Sequence, residues 1–379
     1  MKIKLDKKDL IERLQIVQNM VSKRSALPIL SNYLLETDRS ARKLWITSTD
    51  LEVGIKSSLD AIVEEDGSIT LPARKLGEIL HELPSNGSSD VVLELKDNNR
   101  VQVLGAHSKF QIVGIPKDDY PVLPEFKKDQ AIEFPSAVLL DMIRKTVFAA
   151  SNEETRYVLN GVLFVLNQGK VSLVATDGRR LAAVYSEGVA SDKNFQAIIP
   201  TKALLEVGRV AERSAGNPSA SGPVLVEISE NRAGFYIDGT TIFSRLIDGN
   251  FPGWEQVIPR KPGVKATVRV EPFLAVTKRA SLCISDRVGT CRYKFFKNHC
   301  QVTSKTLGHY EFEEEIDSVS FDGEEGFEIS FNPHHVMDYL KNITADKFEI
   351  QLTTSVNPAL FATPENPRYS YVVMPTRSQ

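Results

Sequence analysis

Three cysteines, Cys283, Cys291 and Cys300, lie in the last third of a 379-residue chain. Thiolates at short spacing can hold zinc, but the seven and then eight residues between these three match no zinc pattern. They read instead as small core hydrophobes. His334 and His335 are adjacent at the start of a helical stretch, and neighbouring helical side chains do not face one ion. His81-Glu82 lacks the second histidine of a metalloprotease helix. Between Gly161 and Gly169-Lys170-Val171 the spacing is wrong for a phosphate loop, and no hydroxyl follows the lysine. No G-x-S-x-G elbow occurs. Thr176-Asp177 with Arg179 and Arg180 gathers a hydroxyl, an acid and two guanidiniums, which suits either phosphate chemistry or a β-turn beside an arginine pair. No catalytic residue, metal ligand or cofactor is assigned. The chain is expected not to be an enzyme, although a dispersed hydrolase or transferase site stays open as a third reading.

The elements that would position such residues must come from an ordinary globular composition, 42% hydrophobic and 25% charged. No run of apolar residues is long enough to span a membrane. The start, Met1-Lys2-Ile3-Lys4-Leu5-Asp6, lacks the apolar segment of a secretory signal. With few cysteines, a reducing cytoplasm is expected. The sequons Asn86-Gly87-Ser88 and Asn342-Ile343-Thr344 are then chance matches. A net charge of −3 argues against a generic nucleic-acid coat.

The chain repeats itself. Leu44-Trp45-Ile46-Thr47-Ser48-Thr49-Asp50 returns as Val171-Ser172-Leu173-Val174-Ala175-Thr176-Asp177, 127 residues on, and more weakly around Cys300 to Lys305. A strand that meets proline and opens a helix occurs at Pro72, Pro200 and Pro333. A closing strand appears as Phe110 to Pro116 before Tyr120-Pro121, as Phe243 to Leu246 before Phe251-Pro252, and as Tyr371 to Pro375. Three tandem units follow, near 1–125, 126–258 and 259–379, with Pro-rich joints at Pro121 to Pro124 and Pro259 to Pro262.

Each unit should hold two helices among strands: Lys7 to Val21 and Arg74 to Leu83, Ala137 to Ala150 and Lys202 to Arg213, Pro272 to Leu282 and His334 to Asn342. Asp97-Asn98-Asn99 should turn a hairpin, and Asp-Gly pairs at Asp66, Asp177, Asp238, Asp248 and Asp322 signal further turns. With the first helical segment extended to Arg24, the helical segments total +7, which leaves −10 for the rest of the chain. Positive charge gathered on one structural class can hold a polyanion, or can simply be solvated helix faces.

Ser22-Lys23-Arg24-Ser25-Ala26-Leu27-Pro28-Ile29-Leu30, Glu154 to Val162, Ala175 to Ala182, Leu246 to Pro252 and Tyr371 to Arg377 together resemble the bacterial sliding clamps, the beta subunits of DNA polymerase III. The resemblance runs over the whole chain in order. It implies an α+β protein of three tandem repeats of the DNA-clamp fold, with antiparallel sheets outside and two helices per domain lining a ring. It implies a head-to-tail homodimer that encircles double-stranded DNA without reading sequence and tethers the replicative polymerase as a processivity factor. A clamp loader driven by ATP and other clamp-motif proteins would be further partners. DNA contacts would fall to Arg24, Lys7, Lys8, Lys202 and Arg209, while Glu153 would sit in a loop near DNA. A repeat-built protein-interaction scaffold without a DNA role is the alternative.

The resemblance also implies a cleft for short peptides, lined by Arg156, Leu159, Thr176, Gly178, Arg180, Leu181, Pro252, Val257, Val372, Met374, Pro375 and Arg377, with Asn332, His335 and Val356 alongside. Met374 suits a cleft with several partners because its side chain repacks. Relatives commonly carry methionine at Thr376, histidine at Arg179 and an aromatic at His335. Phe110 and Ile112 alternate with Gln111 and should meet Leu282, Cys283 or Ile284 of the second subunit. Residues 376–379 are expected to lie free beyond Pro375.

Overall fold

The computed structural model describes residues 1–22, 27–84, 90–215, 222–260, 263–284, 289–306, 309–317 and 319–376. Arg24 and Arg377 fall outside the described residues. Two compact units form, one from Met1–Ala137 with Leu205–Leu246, the other from Val138–Leu204 with Ile247–Gln379.

In unit 1 a five-stranded antiparallel sheet runs in the order Ile62–Glu65, Lys2–Asp6, Asp90–Lys96, Arg100–Gly105, Ser108–Val113. Its expected hairpin forms, with Asn98 and Asn99 both at positive φ. A second sheet has eight strands, in the order Ile132–Phe134, Val224–Ile228, Arg232–Ile237, Thr240–Arg245, Val53–Asp60, Lys43–Thr49, Asn32–Asp38, Ser68–Pro72. Strands from the first two sequence repeats are therefore hydrogen-bonded neighbours: Phe243 faces Gly54 across one pair and Gly234 across the next. Asp238-Gly239 makes the tight turn between two of these strands, at φ 43° and 72°. Leu10, Leu14 and Val17 are buried along the helix Lys7–Val17, which Asp6 caps by accepting from the Lys8 and Asp9 amides. The helix ends earlier than periodicity suggests, passing into a 3-10 turn at Gln18–Met20. Ala73–Glu82 and most of Thr201–Ala215 are the other helices of this unit.

In unit 2 a nine-stranded sheet runs Phe195–Pro200, Gly161–Asn167, Lys170–Thr176, Arg180–Ser186, Asn366–Val373, Ala359–Thr363, Lys347–Leu352, Val264–Arg269, Val319–Phe321. A four-stranded sheet runs Tyr310–Ile316, Cys300–Thr306, Cys291–Phe295, Phe327–Phe331. Most of Ser136–Thr146, with Val270–Ser281 and Pro333–Lys341, supplies its helices. Tyr339, Phe348, Phe361, Tyr369 and Tyr371 stack into a buried aromatic core. Cys291 and Cys300 are fully buried, as their reading as core residues requires, and burial pushes the Cys291 thiol up to about 12. Cys283 is half-buried.

Candidate functional site

The turn Thr176 to Arg180 is built by its own side chains. Thr176 Oγ1 donates to the Arg180 carbonyl at 2.6 Å and accepts from the Gly178 amide at 3.0 Å. Asp177 Oδ1 accepts from the amides of Arg179 and Arg180, at 2.8 and 2.9 Å. Of the two open readings of these residues, the turn is the one that forms. Gly178 sits at φ 82°, and a Cβ there would come within 2.8 Å of Arg156 Nη1. Arg156 reaches over the turn to donate to the Asp177 carbonyl at 2.7 Å and pairs with Glu153 at 3.3 Å.

Arg180 turns inward. Its Nε meets Asp177 Oδ2 at 3.0 Å, its Nη1 meets Asp338 Oδ2 at 2.6 Å, and its Nη2 donates to the Phe148 carbonyl at 2.7 Å. The guanidinium also lies over the Phe148 ring. So engaged through three of its five N–H groups, Arg180 ties the turn to the helix Pro333–Lys341. His335 lies 4.0 Å from Asp177 Oδ2. Burial lowers its pKa first and the Arg180 charge lowers it further; Asp177 and Asp338 oppose them, and the result is about 4. His335 is therefore neutral at neutral pH. Asn332 is buried and caps its helix by accepting from the His334 amide at 2.9 Å.

An apolar layer surrounds this frame. Leu181 pairs with Val372, and Val372 with Leu360, across three adjacent strands. Leu181 and Val372 belong to a buried cluster with Leu163, Val174, Ala183, Ile198 and Ile247. Val158, Phe251, Trp254, Ile258 and Leu360 pack on it half-buried. None of these five was among the residues assigned to the cleft. The strand member, Leu360, could have been found from the register of Ala359–Thr363 against Asn366–Val373, which is not legible before the pairing is known. Leu181 and Val372 support the site from beneath, while Met374 and Val257 stand at its surface, 38% and 39% exposed. Leu159 and Pro375 are half-buried, and Pro252 and Val356 are exposed. The tail is stitched down: the Met374 amide donates to the Arg179 carbonyl and the Thr376 amide to the Ser330 carbonyl, both at 2.8 Å. Thr376 is thus not free, contrary to expectation, because its amide finds a strand carbonyl.

Residues 1–124 match the DNA polymerase III beta subunit N-terminal domain, 133–253 its central domain and 255–377 its C-terminal domain. The chain belongs to the DNA polymerase III beta subunit family. The beta sliding clamp of Vibrio cholerae is 31% identical over 378 residues, covering all of both chains. That of Synechocystis is also 31% identical, over all of this chain and 99% of its own. Among solved structures, the beta subunit of Pseudomonas aeruginosa and the sliding clamp of Bacillus subtilis are each 28% identical, with TM-scores of 0.91 over the full length of both chains. A Pseudomonas aeruginosa clamp bound to griselimycin is equally similar.

The residues assigned to DNA and to subunit contact by resemblance to this family sit in varied settings. Lys8 and Lys202 are exposed, and Lys7 donates to the Leu83 carbonyl. Arg209 differs from a free phosphate contact. Its Nη1 donates to the Gln15 carbonyl at 2.9 Å, its Nη2 bonds the Ile16 carbonyl, and its Nε meets Glu206 Oε2 at 2.8 Å. It thereby caps the last turn of Lys7–Val17. Phe110 and Ile112 do share a face, opposite Val103 and Val101. That face is the unit's own core, so Ile112 is 5% exposed and Phe110 stands at the rim. Leu282, by contrast, is 77% exposed. Among the described residues no helix is long and apolar enough to cross a membrane.

Proposed function

We propose that the chain is a DNA sliding clamp: a ring-shaped homodimer that encircles duplex DNA in the cytoplasm and tethers the replicative polymerase, with no catalytic site of its own. Its working units are the three repeat domains, residues 1–125, 126–258 and 259–379. The observation that carries this reading is the match of the whole chain, in order, to relatives named beta sliding clamp. Those names do not favour a scaffold without a DNA role. Loading onto DNA falls to a partner ATPase.

Head-to-tail closure finds support in the strand edges. Ser108–Val113 ends one sheet of unit 1, and Tyr310–Ile316 ends one sheet of unit 2. The first carries Lys109, while the second exposes Glu311, Glu313 and Glu315. Pairing such edges between subunits would satisfy their backbone groups and bring opposite charges together. Leu282 and Cys283 belong to this end, since Thr306 Oγ1 donates to the Cys283 carbonyl at 2.7 Å.

Met374, Val257 and Leu159, with Arg156 at the rim, form the peptide site of this reading. An apolar surface beside a few fixed polar groups suits an extended peptide. Retention on closed circular DNA and release after linearisation tests the function. Equal loss from both forms would count against encirclement.

A further inference from the structure

The turn of unit 2 has a twin in unit 1. Thr49 Oγ1 donates to the Val53 carbonyl at 3.0 Å and accepts from the Leu51 amide at 3.0 Å. Asp50 Oδ1 accepts from Glu52 and Val53 at 3.0 and 2.8 Å. The Arg245 amide donates to the Glu52 carbonyl, as the Met374 amide does to Arg179. The match extends into the strands. Leu181, Val372 and Leu360 lie in one cross-strand row in unit 2, and Gly54, Phe243 and Gly234 form the corresponding row in unit 1.

What covers the two rows differs. Counted from Tyr120-Pro121 and Phe251-Pro252, Leu123 and Phe126 correspond to Trp254 and Val257. A Cβ on Gly54 would lie 2.4 Å from Leu123 Cδ2, and one on Gly234 3.1 Å from Phe126 Cδ2. The two glycines leave troughs on either side of Phe243 that these side chains fill. Phe126 also packs on Tyr236 and Phe243. The Lys127 amide donates to the buried Glu227 at 3.0 Å, and Lys128 lies over Tyr236. In unit 2, Leu181 and Leu360 fill the troughs themselves, so Trp254 packs only half-buried on the cluster that holds Leu181 and Val372, and Val257 stays at the surface.

We propose that the Gly54–Phe243–Gly234 face of unit 1 is a second copy of the peptide-docking surface, held shut by the chain's own joint, with Leu123 and Phe126 in the place of a ligand. The proposal rests on the reading of unit 2 as a peptide site. Its ligand class is the same: a short extended peptide that offers apolar side chains to a strand face. Such an autoinhibitory contact would leave each subunit with a single open site.

The test uses the full chain and two labelled probes, a polymerase tail peptide and a peptide copied from residues 120–128. The tail peptide should bind the wild type, and its failure to do so would remove the unit 2 reading alone. The double variant Leu123→Ala/Phe126→Ala should gain a site for the joint peptide that the wild type lacks. Hydrogen-exchange protection should then appear at 53–55 and 234–244. A folded double variant with no gained site overturns the proposal. Should that variant unfold, Gly54→Leu, which copies the residue of unit 2, serves instead. It should speed exchange at the amides of Val122, Leu123 and Phe126 by about tenfold while the rest of unit 1 is unchanged. Unchanged exchange there overturns the proposal equally.

Discussion

Leu51 and Gly178 hold the same left-handed backbone, φ 79° and 82°, at the same step of two matching turns. Only the glycine carries it without cost, since a side chain in that region is disfavoured by about 1 kcal/mol. Gly178→Ala should destabilise unit 2 by about 1–3 kcal/mol, because strain and the clash with Arg156 act together. It should also weaken peptide binding at the site. Leu51→Gly should leave stability unchanged or raise it by up to about 1 kcal/mol. Denaturant melts of both variants check the contrast, and equal losses would refute it.

His335 should make the protein acid-sensitive. Above pH 6.5 it is neutral whether folded or unfolded. As pH falls from 6.5 to about 4, the unfolded chain takes up a proton that the buried imidazole, beside Arg180 and Arg179, resists despite Asp177 and Asp338. Stability is therefore lost across that window, by about 3 kcal/mol at most, and levels off below it. His335→Gln should flatten this part of the profile. A wild-type and variant difference independent of pH would contradict the assignment.

Subunit contact is better probed at Leu282 than at Ile112. Leu282→Asp places a charge where the proposed partner strand docks, and should give folded monomers in sedimentation. Ile112→Asp buries a charge in the core of unit 1 and should lower the melting temperature sharply instead. An intact Leu282→Asp dimer would move the interface elsewhere.

Lys8 and Arg209 should separate DNA contact from internal support. Lys8→Ala should reduce the salt slope of DNA binding by up to about one unit with little effect on stability. Arg209→Ala strips partners from the carbonyls of Gln15 and Ile16 and should cost about 1–3 kcal/mol of stability. A large stability loss for Lys8→Ala would reverse the roles.

Much of this was legible along the chain. Helical spacing located all six α-helices of the described residues, and Asp97-Asn98-Asn99 marked its hairpin. What spacing could not reveal depends on residues far apart in sequence. Arg209 counted as one positive charge on a helix, but its partners are carbonyls more than 190 residues away. Ile112 lay correctly on one face with Phe110, but which face looks inward depends on the sheet that packs there. Arg180 matched a peptide-binding position, and its engagement by Asp338 needs the helix Pro333–Lys341 brought alongside the turn.

The interleaving of the two units bears on how the chain is made. Unit 1 lacks three strands of its larger sheet until synthesis has passed residue 245, yet residues 138–204 emerge before then and belong to unit 2. Those sixty-odd residues must wait on the ribosome with sheet edges unpaired, since the strand Asn366–Val373 that flanks Arg180–Ser186 is nearly the last to appear. A growing chain should therefore be most vulnerable to aggregation and most in need of a chaperone while this central segment is exposed. Translation slowed just after that segment would lengthen the exposure, and a break in the chain there would strand both units incomplete.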